Sequence, residues 1–71
     1  MPFVNIRTAR GLLSAAQKDR LHTEVTDLLV RIEGNGDEAF RPFVTVLIEE
    51  HEPGCWSVGG NQVSRLLEEL K

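Results

Sequence analysis

The chain has 71 residues, 41% of them hydrophobic and 27% charged, and a formal net charge of −3. That size is near the lower limit for one self-supporting core, so a single domain spanning 1–71 is expected, with oligomerisation as the remaining staple. Scattered arginines and lysines on an acidic chain exclude a nucleic-acid footprint, a lone Cys55 excludes an internal disulfide, and no apolar stretch approaches the roughly 20 residues of a membrane span.

Residues 2–8 (PFVNIRT) alternate loosely between apolar and polar and predict a first strand, closed by a turn at Ala9-Arg10-Gly11. Ser14 stands three residues before Gln17, the capping-box spacing that satisfies free amides at a helix start. The helix should run to about Ile32, with Leu21, Val25, Leu28 and Ile32 forming one buried stripe, and Gly34-Asn35-Gly36-Asp37 should stop it. Residues 43–49 (FVTVLIE) are dense in β-branched and apolar side chains and predict a second strand, with Pro42 at its entrance. Strand, helix, strand makes a βαβ unit with parallel strands. After Pro53-Gly54 a short strand over Cys55–Val58, the pair Gly59-Gly60 and a short helix within Asn61–Lys71 complete an α/β chain.

Pro2 is the residue with unusual chemistry. An initiator methionine followed by proline is readily trimmed, and a proline at the chain start carries a secondary amine, whereas an internal proline nitrogen is an amide without a proton. Held against apolar groups, such an amine loses the solvation that favours its cation, and it becomes a proton shuttle near neutral pH.

The order of the elements carries a resemblance over nearly the whole chain. Pro2-Phe3-Val4-Asn5-Ile6, Ser14-Ala15-Ala16-Gln17-Lys18, the strand Val44–Glu50 and Trp56-Ser57-Val58-Gly59-Gly60 together resemble the 4-oxalocrotonate tautomerase family. The resemblance implies a βαβ protomer that pairs into a four-stranded sheet on dimerisation and commonly assembles into hexamers, with sites shared between subunits. It implies an isomerase of small enols or unsaturated keto acids, a small-molecule partner, no cofactor, and Pro2 as the catalytic base. Trp56 falls where the family places an aromatic pocket wall.

The sequence departs from the family at its carboxylate anchors. Where well-known members carry arginines, this chain has Leu12 or Leu13 and Thr45. Arg10 is near enough to the first place to substitute, given arginine's reach and its paired bonds to carboxylates; Arg41 lies four strand residues, about 13 Å, from Thr45, and the face of Arg7 cannot be assigned. The expected site is therefore Pro2 as base with Arg10, Thr45 and Trp56 around the substrate, and no metal. His22 is expected to be solvated, Glu50 and His51 to edge a strand end, and Cys55 to pack as a small hydrophobe. A Pro2-dependent hydratase or dehalogenase is a weaker fit, because no acidic residue occupies Cys55–Asn61; a non-enzymatic oligomeric scaffold is the remaining alternative. No targeting or membrane segment is evident, so a cytoplasmic protein is expected.

Overall fold

The computed structural model describes residues 1–70. Strand β1 (Phe3–Ala9) pairs in parallel with β2 (Thr45–His51), in a register running from Phe3 opposite Thr45 to Ala9 opposite His51. Exposure alternates along β1. Val4, Ile6, Val46 and Ile48 turn toward the covering helix, whereas Phe3, Asn5, Arg7, Thr45 and Leu47 face away from it.

Helix α1 (Ala15–Ile32) makes the crossover between the strands and packs on β2. Its start is the capping box read from the sequence: the Ser14 hydroxyl accepts from the Gln17 amide at 3.1 Å, and the Ser14 amide donates to Gln17 Oε1 at 2.8 Å. The Lys18 ammonium reaches under the sheet to Glu50, tying the first helical turn to the far end of β2. The buried stripe differs from the expectation. Leu21 and Val25 are half-buried as foreseen, but Leu28 is 41% and Ile32 64% exposed, and Val30 is the buried helix residue at 4%. A two-stranded sheet is too narrow to cover the last two turns of an 18-residue helix.

At the end of α1 the Gly36 amide donates to the Val30 carbonyl at 2.8 Å, and Asn35 and Gly36 take the positive φ that the expected stop requires. The chain then forms a 3₁₀ helix over Glu38–Phe43, capped by the Asp37 carboxylate accepting from the Ala39 amide at 3.0 Å. This delays the second strand, expected from Phe43, to Thr45. The Val44 amide turns back to the Arg41 carbonyl (3.1 Å), and the first bond to the sheet is Thr45 N–H to the Pro2 carbonyl (3.1 Å). The strand then runs two residues further than expected, to His51.

The segment expected as a strand from Cys55 is shorter. Pro53–Cys55 form a 3₁₀ turn, and only Ser57–Val58 (β3) pair, antiparallel, with Asn61–Gln62 (β4). Both residues of the connecting turn, Gly59 and Gly60, have positive φ, as a two-residue hairpin needs. Helix α2 (Val63–Leu70) follows at once, anchored by the Val63 amide donating to the Trp56 carbonyl at 2.8 Å; Lys71 of the expected helix lies outside the described residues.

Only Ala9, Val30 and Val63 are buried hydrophobics among the described residues. The radius of gyration is 15.3 Å, against about 11 Å for a compact domain of this length. The protomer is thus elongated, 43 × 23 × 15 Å, with Phe3, Leu47, Leu28 and Ile32 in the open.

Gly34 is where the fold tolerates no side chain: a Cβ there would lie 2.8 Å from Phe40 side-chain carbons and from the Val30 carbonyl oxygen. Gly34→Ala should destabilise the protein by about 1–3 kcal/mol, read from urea unfolding with both proteins at one concentration.

Candidate active site

Pro2 is half-buried at the head of β1. Its carbonyl accepts from the Thr45 amide, and Thr45 lies opposite Phe3. Two of the expected site residues are therefore neighbours, placed by the first rung of the parallel ladder.

The other two lie at the opposite end. β1 has seven residues, which at about 3.3 Å each carry the chain some 20 Å from Pro2 before the turn. There the Arg10 amide donates to the His51 carbonyl at 2.9 Å, while its guanidinium pairs with Glu52. Glu52 leads into the Pro53–Cys55 turn, which delivers Trp56 to a cavity of about 430 Å³ lined by Arg7, His51, Cys55, Trp56 and Ser57. Trp56 is half-buried and forms one wall. Arg10 is not among the lining residues; Arg7 is. Cys55, expected to pack inside, is exposed because the 3₁₀ turn carries it at the surface end.

The sequence reading did not place Arg7 and His51 together. Their common signal is the two-residue period of the pleat: counted from the Phe3–Thr45 pair, Arg7, Glu49 and His51 fall on one face. Ending the second strand at Glu49 left His51 off that face.

Glu49 organises this face. Its Oε1 accepts from Asn5 Nδ2 at 3.1 Å, and its Oε2 meets His51 Nε2 at 3.3 Å and Arg7 Nε at 3.4 Å. The Asn5 hydrogen bond above all, then that of His51, with the Arg7 charge adding to them, holds the Glu49 carboxyl below the ordinary carboxylate range. Arg41 belongs elsewhere. It bonds Asp27 of α1 at 2.9 Å and Glu38 at 2.8 Å. These two carboxylates raise its pKa, with Glu38 the larger cause, and Arg41 in turn lowers that of Glu38. Among the described residues no three His, Cys, Asp or Glu side chains are grouped to hold a metal ion.

A parallel strand–helix–strand unit with a proline heading the first strand and a glycine-turned hairpin behind the second is the protomer of the tautomerase class. The chain belongs to the tautomerase enzyme family, whose match covers residues 2–65. It is similar to Probable tautomerase K2 of Dickeya dadantii (strain 3937), 39% identical over 64 residues and 90% of each chain. Among solved structures it is similar to DmpI from Helicobacter pylori, with a TM-score of 0.74 and 28% identity over 94% of this chain and 97% of that one. It is also similar to YwhB, a homologue of 4-oxalocrotonate tautomerase, with a TM-score of 0.75 and 27% identity over 89% and 95% of the two chains. A third likeness is to SAR1376 from methicillin-resistant Staphylococcus aureus, with a TM-score of 0.68 and 33% identity over 89% and 94%.

Because the Glu49 pKa is depressed in the folded protein, its stabilising contribution is present above the unfolded value, about 4.3, and is lost as pH falls through the folded value. Carboxyl NMR titration should find Glu49 titrating below the ordinary glutamate value, and Asn5→Ala should move it upward. A Glu49 midpoint unmoved in Asn5→Ala would show that the hydrogen bond does not set it.

Proposed function

We propose that the chain catalyses keto–enol tautomerisation of a small enol or unsaturated keto acid, with the Pro2 amine, released by removal of Met1, as general base. The observation that carries this is the fixed position of Pro2: its carbonyl is held by the Thr45 amide at the head of β1, so a freed nitrogen has little room to wander. Met1 is 90% exposed, open to an aminopeptidase.

The rest of the site comes from a second copy. β1 has β2 on one side only, and antiparallel pairing of two copies along the free β1 edges makes a four-stranded sheet. Such pairing sets the Pro2 of one protomer beside the Arg7–Arg10 end of its partner, where Trp56 lines the cavity. Further association of the dimers, as a hexamer, covers the apolar faces left open in the protomer.

In this arrangement Trp56 excludes water and brings the prolyl ammonium close in free energy to the neutral amine, so the nitrogen can both accept and donate a proton. The amine takes a proton from the carbon beside the carbonyl and returns it in the reverse direction. The Thr45 hydroxyl lies beside the base for hydrogen bonding, and Arg10, on leaving Glu52, reaches the substrate carboxylate as a guanidinium fork. The activity is modest, because leucine and threonine stand where carboxylate-binding arginines would.

Processed and Met1-retaining protein should be compared on phenylenolpyruvate or 2-hydroxymuconate. Retaining Met1 makes the nitrogen an amide and should lower the rate by about a hundredfold or more; equal rates would show that Pro2 is not the base. Arg10→Ala should raise KM several-fold, by the order expected for one exposed charged contact, with kcat little changed. Wild-type kinetics in that variant would make Arg10 a surface residue.

A further inference from the structure

Ketonising an enol requires two proton transfers at different atoms, one off the oxygen and one onto the carbon. A single amine must travel between them, unless a second group serves the oxygen. The cavity beside Trp56 contains a candidate. His51 lines it and is 53% exposed on its side chain, so a substrate can reach the ring.

The ring is also held. A carboxylate only accepts, so the contact from His51 Nε2 to Glu49 Oε2 at 3.3 Å places the hydrogen on Nε2. In the neutral ring that leaves the Nδ1 lone pair free. Glu49 is fixed in turn, by Asn5 on its other oxygen and by Arg7 beside the same one. The result is a chain of contacts, Asn5 to Glu49 to His51, anchored on two adjacent strands and ending at the cavity. The remaining polar side chains there are less suited. Arg7 keeps its proton throughout, and neither Ser57 nor Cys55 has a hydrogen bond to a basic group among the described residues.

We propose that His51 is a second proton-transfer group of this site, exchanging a proton with the substrate oxygen while the partner copy's proline amine serves the carbon; this rests on the tautomerase reading above. In ketonisation His51 Nδ1 takes the hydroxyl proton, and the O–H electron pair becomes the carbonyl π bond. The carbon–carbon π pair takes a proton from the prolyl ammonium to form the new C–H bond. The imidazolium and the neutral amine then exchange protons with water, and the reverse sequence enolises a ketone. The charged and titratable groups around the ring are Glu49 and Arg7 on the strands, Glu52 (paired with Arg10) in the following turn, and Cys55 in the cavity. Glu49 is a positioning residue, keeping the Nε2 hydrogen in place and stabilising the imidazolium.

The test uses processed, assembled protein with phenylenolpyruvate, and the Met1-retaining form as control. His51→Gln should lower kcat by about a hundredfold and leave KM within about threefold. In His51→Gly, added imidazole should restore much of the lost rate while doing nothing for the Met1-retaining form. Glu49→Gln, which keeps an acceptor for the ring but removes the charge, should lower kcat about tenfold, as expected for losing one charge-assisted hydrogen bond, and decides the matter if the His51 variants fail to assemble. Full kcat in His51→Gln or Glu49→Gln, or a loss in His51→Gly that imidazole cannot repair, would overturn the role of His51 while the Met1 control still reports on Pro2. Equal rates with and without Met1 would overturn the Pro2 reading instead.

Discussion

The arrangement depends on the parallel pairing of β1 with β2. A parallel pair needs a long crossover, and the 18-residue α1 supplies it, but one helix covers one face of two strands and no more. The protomer therefore encloses almost nothing: three hydrophobic residues are buried among those described, and Phe3 and Leu47 stand on an uncovered sheet face. The accessible surface of 5259 Å² exceeds the roughly 4,400 Å² expected of a compact monomer of this mass. In the proposed assembly, the exposed apolar groups are the surface that a second copy would cover.

The same pairing separates the chemistry into two poles. The first rung fixes Pro2 against Thr45; the last rung brings Ala9 against His51 and starts the turn that ends at Trp56. Because the strands run in the same direction, their C-terminal ends meet, and the guanidinium, imidazole and indole side chains gather there. In the proposed function, a protomer thus carries the parts of the proton-transfer site without bringing them together. In the proposed dimer an antiparallel neighbour closes the gap without changing the fold of either chain.

Much of the fold was legible because local chemistry decides it. The Ser14–Gln17 box starts α1 where the spacing said, and the positive φ of Asn35 and Gly36 ends it. The β-branched run of β2 pairs as expected, and the tautomerase family follows from the joint order of these signals. What was not legible depends on tertiary partners. Asp37 caps a 3₁₀ helix that Pro42 does not prevent, which moves the strand start to Thr45. The narrow sheet leaves Leu28 and Ile32 uncovered. At the candidate site, Trp56 lines a cavity, but Arg7 and His51 became visible only when the ladder register assigned their face, and the Glu52 pairing of Arg10 needed the turn geometry.

Glu49 and Glu50 are adjacent and chemically identical, yet the pleat gives them unrelated partners: Glu49 holds Asn5, Arg7 and His51 on the open face, and Glu50 holds Lys18 beneath the helix. Loss or gain of one residue inside β2 would exchange the two faces along the rest of the strand, pulling the ring-bearing carboxylate under the helix and turning the lysine's partner outward. Insertions and deletions should therefore be least tolerated within the seven residues of β2.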